Sequence, residues 1–210
     1  MPGNYEKIVR NNVRILFEGD VQALSDRLPA LKIDNRLEFR AFGRTCLLRP
    51  EGILFDGKEE TGILGILISL YALHADLREC RIEPFKAFKD LPNSSPYVNP
   101  FAARTQQILI PHVERIRNAQ PVILEAFGGN PGPPSVGGDF SFTLYPFPKI
   151  GLCYIFYAAD DDFPASVICL FSNNALSFAP IDALADTGEY TSRTILKLIS
   201  LRDVSLRDGY

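Results

Sequence analysis

The chain has 210 residues, 46% of them hydrophobic and 22% charged, the balance of a folded globular domain with material for one well-buried core. Its 22 Lys and Arg stand against 25 Asp and Glu, a net charge of −3, which supplies no electrostatic footprint for nucleic acid or an anionic membrane surface. Cys46, Cys80, Cys153 and Cys169 lie far apart with no C-x-x-C spacing, which argues against a zinc knuckle or an iron–sulfur cluster.

The N-terminal stretch lacks the apolar segment of a signal peptide, so the expected location is cytoplasmic, with reduced thiols. Residues 5–18 carry Tyr5, Ile8, Val9, Asn12, Val13 and Leu16 on one face, the pattern of an amphipathic helix. Asp20 is placed to cap a second short helix holding Ala23, Leu24 and Leu28, stopped near Pro29. A hairpin is expected next: a strand over 36–42, a Gly43-Arg44 turn and a strand over 45–48, followed by a short strand at 53–55 that Asp56-Gly57 ends. The run from Gly62 to Leu73 is the most apolar in the chain. It is far shorter than the ~20 residues of a membrane span, so a buried helix over about 60–77 is predicted.

Residues 83–91 read as an exposed helical turn or two and 92–96 as a loop. Asn99-Pro100 opens a helix that Pro111 and Pro121 should kink or break, and Gly128-Gly129 should end it. The Gly- and Pro-rich segment 128–138 then reads as a mobile connector. Four strands follow, at 139–145, 150–157, 165–171 and 175–178. In the first, Phe140, Phe142 and Leu144 alternate with Ser141, Thr143 and Tyr145, so one face is buried; the second and third are apolar at both parities and read as central strands. A short helix from Pro180 should end at Gly188, a last helix should run from Thr191 to Leu201, and the polar tail 202–210 should fray. The expected fold is one α+β domain over 1–210: a C-terminal four-strand meander and an N-terminal hairpin, mainly antiparallel, packed with helices.

The stretches Gly138-Asp139, Pro146 to Pro148, Asp160 to Ala165 and Leu170-Phe171, with Asp182, form a recognisable set, joined upstream by Phe42 to Arg44 and Pro50 to Gly52. In these the chain resembles the uncharacterised bacterial and archaeal family catalogued as domain of unknown function 3786, over roughly residues 10–200. Ser172 stands where the family pattern has Asp, and the chain lacks the four-cysteine segment that some members carry. The resemblance implies no established activity; it implies a setting in anaerobes linked to corrinoid or one-carbon metabolism.

Candidate chemistry is sparse. Asp160, Asp161 and Asp162 are adjacent carboxylates that a hard cation could relieve, but three neighbours alone cannot complete a coordination shell, and acidic residues also favour turns. The glycines at 128–138 match neither phosphate-binding motif and lead into a strand. A hairpin turn centred on Asp161 pairs Cys153 with Cys169 on one face, and a one-residue slip separates them; buried thiols acting as small hydrophobes are the simpler account. His74 and His112 have no partner spacing for nucleophilic catalysis.

The resulting expectation is a non-catalytic small-molecule-binding or accessory domain with no cofactor. Its site would draw on Tyr145, Tyr154, Asp139, Asp160 and Asp162 beside the 128–138 segment. Its partner would be a small molecule or another protein, not nucleic acid or membrane. The alternatives are a metal-dependent hydrolase built on Asp139 and Asp160 to Asp162, and a protein-interaction module.

Overall fold

The structure is a computed structural model that describes residues 3–207. Helix α1 (Asn4–Phe17) buries Val9, Val13 and Leu16, a stripe at helical spacing. Asn12 Nδ2 donates to Ser69 Oγ at 2.9 Å and ties this face to α3 (Ile63–His74). Helix α2 (Val21–Arg27) starts as the sequence predicts: the Asp20 side chain accepts the Gln22 backbone N–H at 2.9 Å. Strands β1 (Leu31–Ile33), β2 (Arg36–Ala41), β3 (Arg44–Arg49), β4 (Gly52–Phe55) and β5 (Lys58–Glu59) follow in sequence order as one antiparallel sheet.

The β2–β3 turn falls one residue earlier than expected. Phe42 and Gly43 form it, with φ of 48° and 77°, the two left-handed central residues of a tight hairpin loop. A bulky residue is uncommon there, and Phe42 holds the position because packing rewards it. Its ring meets Phe147 edge-on at 4.9 Å and Tyr190 at 4.6 Å, and its N–H donates to Pro146 O at 2.7 Å.

After α3 the chain forms β6 (Lys86–Ala87) and then a single tight turn, rather than the exposed helix read from 83–91. Phe88 and Leu91 are buried, and Phe88 stacks on Phe101 at 4.3 Å. The next helical run is irregular. It begins as α4 (Val98–Phe101), widens to a π-helical turn over Ala102–Gln106, tightens over Gln107–His112 around Pro111, and continues as α5 (Val113–Phe127). Pro121 sits inside α5 without ending it. The missing N–H costs about 3 kcal/mol, and burial of Ile116, Ile123 and Phe127 offsets that at roughly 2 kcal/mol each. Gly128, at φ 60°, ends the helix in the left-handed cap that favours glycine.

The 128–138 segment is built into the fold instead of hanging free. Asn130–Pro131 forms β7, which pairs with β8 (Phe140–Phe147), and Asp139 N donates to Phe156 O at 2.9 Å. The second sheet runs β6-β10-β9-β8-β7, all antiparallel, with β9 (Ile150–Tyr157) and β10 (Ser166–Phe171) at its centre as predicted. The expected fourth strand at 175–178 is absent: Ala175–Ser177 is a tight turn, and β6 takes the edge beside β10. Ala175 and Phe178 reach the core from that turn, so their apolar character reports burial and not extension.

One long helix, α6 (Ile181–Arg207), replaces the two short ones expected around Gly188. Positions 208–210 of the predicted tail lie outside the described residues. Gly188 is required by proximity. A Cβ there would sit 2.6 Å from the Phe101 ring and 3.2 Å from Thr105, so the glycine lets α6 cross close over the π-helical turn. One hydrophobic core runs from α1 through both sheets to α6. An aromatic chain crosses it: Phe39 to Tyr71 at 6.0 Å, Tyr71 stacked on Phe147 at 4.4 Å, then Phe42 and Tyr190. Among the described residues, no helix is long and apolar enough to cross a membrane.

Candidate functional site

The residues singled out in the sequence take up separate structural tasks. Asp160 Oδ1 accepts the Asp162 and Phe163 backbone N–H groups at 2.9 and 2.7 Å, which makes it the anchor of an exposed turn. Asp139 Oδ2 accepts the Ala158 N–H at 2.6 Å on the surface. Asp161 and Asp162 are exposed, and Tyr145 lies half-buried in a β-bulge between Leu144 and Phe147. Tyr154 is fully buried; its hydroxyl sits 3.0 Å from Ser192 Oγ and donates to Gly188 O at 3.4 Å. It fastens β9 to α6. His74 Nδ1 lies 2.9 Å from Leu70 O, and His112 Nδ1 lies 3.2 Å from an Arg115 nitrogen. Among the described residues, no three His, Cys, Asp or Glu side chains converge as a metal site.

The cysteines also separate. Cys169 pairs across the ladder with Tyr154, and Cys153 with Leu170. The register is one residue off the symmetric hairpin, so the two sulfurs lie on opposite faces of the sheet. Burial pushes the Cys169 thiol far up and the Cys153 thiol up to about 11, as expected of inert core thiols.

A roomy concavity lies elsewhere, along α6. A cleft of about 410 Å³ is lined by Ile63 and Leu67 of α3, Arg104 of the π-helical turn, and Asp186, Glu189, Tyr190 and Arg193 of α6. A neighbouring hollow of about 250 Å³ shares Arg104, Asp186 and Glu189 and extends to Tyr97 and Pro100. Helical spacing places Asp186, Glu189, Tyr190 and Arg193 on one face of α6. The π-turn swings Arg104 across to meet them, a distortion frequent at functional sites.

Glu189 is the hub of the charged rim. Its Oε1 accepts from Arg193 Nε at 2.9 Å, and its Oε2 lies 3.6 Å from an Arg104 nitrogen. Asp186 beside it is exposed on the same rim. Partial desolvation by the cleft wall, with Glu189 and Asp182 nearby, pushes its carboxyl above the usual range, and Arg104 pulls only partly against that. Tyr190 forms the inner wall; burial and Glu60 push its hydroxyl up, and Arg44 opposes them. Ile63 at the lip is 54% exposed, while Leu67 is buried beneath it, so an apolar floor adjoins a rim of two guanidiniums and two carboxylates.

This grouping was hidden in the sequence by the expected helix break at Gly188, which assigned Asp186 and Arg193 to different elements. The available signal was the i, i+3, i+4, i+7 spacing of Asp186, Glu189, Tyr190 and Arg193.

No curated protein and no solved structure matches the chain. Residues 20–194 match the family described as Domain of unknown function (DUF3786), and with most of its length inside that match, the chain belongs to that family.

Proposed function

We propose that this chain is a binding domain without catalytic machinery, and that its ligand is a small amphipathic organic anion held in the cleft between α3, the π-helical turn and α6. The observation that carries this reading is the pair Arg104 and Arg193 converging on Glu189 above Ile63, Leu67 and Tyr190. Each guanidinium has five N–H donors, and the two rim carboxylates, Glu189 and Asp186, leave several of the ten to solvent. A ligand carboxylate, sulfonate or phosphate at the rim takes the remainder in charge-assisted bonds. Its apolar body lies on the floor, within the volume range of small-molecule sites.

The test uses anilinonaphthalene sulfonate, an anion with an aromatic body, titrated by fluorescence. The double variant Arg104→Ala/Arg193→Ala should bind it about tenfold more weakly, equivalent to about 1.4 kcal/mol. Both arginines sit in exposed ion pairs, so stability should change by no more than about 1 kcal/mol. Equal affinity in both proteins refutes the cleft.

A second reading, an interaction module, is favoured by the edge strand β1, where Leu31 and Ile33 are 62% and 44% exposed. An open edge of this kind can pair with another chain. If it does, Leu31→Lys should abolish a concentration-dependent dimer or complex in light scattering.

A further inference from the structure

Strand β10 is covered along one edge and partly open along the other. β9 pairs with it from Ser166 to Phe171, whereas β6 reaches only Leu170 and Phe171. Residues 166–169 therefore have no partner strand on the β6 side. The ladder fixes which groups face that side. Ser172 N donates to Gly151 O at 2.8 Å, and Asp139 N donates to Phe156 O at 2.9 Å. Ser172 thus turns its main-chain groups to β9, while Phe156 turns its own to β8. Alternation carries this pattern along β10: Ile168 and Leu170 bond to β9, and Val167 and Cys169 direct their N–H and C=O outward.

This open edge is recessed. Val167 and Cys169 are 5% and 1% exposed, and main-chain groups in so buried a stretch call for partners. Beside the edge is a hollow of about 220 Å³. It is lined by Ile168 and Cys169 of β10, Phe88 after β6, and Val98, Phe101 and Ala102 of the helical run. An edge at the floor of a groove admits a single extended segment, not the edge of a second folded sheet.

Every neighbouring pair in this sheet is antiparallel. A segment added in the same sense places one residue opposite Cys169 and, two positions on, another opposite Val167. Both turn their side chains to the face that Cys169 occupies, the first of them over the hollow. The residue between them meets Ile168, which is 38% exposed.

Charge gives the segment its polarity. It enters beside Lys89, which also lines the hollow, and leaves past Asp160, Asp161 and Asp162 in the turn that joins β9 to β10. Asp160 is engaged by the N–H groups of its own turn. Asp161 and Asp162 are exposed, and no cation pairs with either among the described residues. Basic residues that follow the apolar part lie near these carboxylates and away from Lys89.

We propose that the open edge of β10 takes up an extended peptide of a partner protein, apolar where it meets Cys169 and Ile168 and basic a few residues later. The peptide continues the line of β6, bonding to the outward N–H and C=O of Cys169 and Val167. One apolar side chain fills the hollow, and the trailing lysines or arginines pair with Asp161 and Asp162. The site shares no lining residue with the α6 cleft and stands independently of it.

The probe is a fluorescein-labelled peptide that alternates valine and threonine around a central leucine and ends in lysines, titrated with the native chain by fluorescence anisotropy. Saturable binding is expected. N-methylation of the peptide amides that face β10 should weaken it at least about tenfold, because main-chain bonds carry the affinity. A peptide of the same composition with its lysines first should bind about threefold more weakly, and so should the original peptide to Asp161→Asn/Asp162→Asn at low salt. Ala102→Phe, which fills the hollow, should cost about tenfold. In hydrogen exchange followed by NMR, the peptide should slow the Val167 and Cys169 amides and leave the Ile168 amide, already bonded to β9, unchanged. The proposal is overturned if the peptide does not bind, if the methylated peptide binds equally well, or if the Val167 and Cys169 amides are not slowed; none of these needs a variant to fold. Binding that follows the lysines alone marks adsorption to the acidic turn and overturns it too, as does a dimer through this edge that the peptide fails to displace.

Discussion

Gly188→Ala sets two effects of known size against each other. Replacing glycine inside a helix by alanine favours the helix by about 1 kcal/mol. The new methyl, however, would lie 2.6 Å from Phe101 Cε2 and 3.2 Å from Thr105 Oγ1 and Cγ2. Carbon–carbon contacts settle near 3.5–4.0 Å, so a gap of about 1 Å must open between α6 and the π-helical turn. Phe101 cannot recede, because it is buried, stacked on Phe88 at 4.3 Å and 5.6 Å from Phe171. Overpacking of this kind costs about 1–3 kcal/mol, and the blocked retreat puts it in the upper half of that range. The net expectation is a loss of about 1–2 kcal/mol. Urea unfolding followed by circular dichroism should show a lower midpoint at unchanged slope. A Gly188→Ala protein as stable as the parent, or more so, refutes the packing argument, because propensity alone would then have decided the outcome.

Asp186 carries a pH prediction. Its folded-state carboxyl is raised above the unfolded value, so the folded state holds the proton more tightly and loses stability as pH rises from the ordinary carboxylate range through the raised value. Asp186→Asn should therefore melt higher than the parent at neutral pH, with the gap closing on acidification below that range; a gap independent of pH contradicts the assignment. Tyr154→Phe should cost about 1 kcal/mol and no more, because Ser192 Oγ keeps its bond to Thr105 O at 2.8 Å; a loss above about 3 kcal/mol in chemical denaturation shows that the hydroxyl supports more than this contact. Pro121→Ala restores an exposed N–H towards Arg117 O in α5. The bond regained outweighs the greater freedom of the unfolded chain, so the variant should unfold at a higher temperature, by about 1–2 kcal/mol of added stability. A lower melting temperature would falsify the view that the helix tolerates Pro121 only because its apolar face is buried.

The sequence by itself determined the elements whose patterning is local and strong. The Val9, Val13, Leu16 stripe of α1, the Asp20 cap, the apolar α3 and the continuous runs of β9 and β10 all appear where periodicity places them. These signals are legible because a residue's burial repeats every 3.6 or 2 positions along its own element. The misplaced features share one cause: a local preference worth about 1–3 kcal/mol was outweighed by contacts from distant parts of the chain. Gly188 and Pro121 read as helix breaks and are spanned by buried apolar faces. Apolar Phe178 reads as strand and packs from a turn. The glycines at 128–138 read as a connector, yet part of that stretch pairs with β8.

The candidate sites fell on the tertiary side for the same reason. Tyr154 looked like a pocket aromatic because sequence shows ring and hydroxyl but not the Ser192 that occupies the hydroxyl. Arg104 meets Glu189, and Phe88 lines one hollow with Cys169, across 85 and 81 residues of chain respectively. No period links such pairs. Their meeting depends on a single register in β9–β10 and on how closely α6 crosses the π-helical turn, and only the packed core fixes either one.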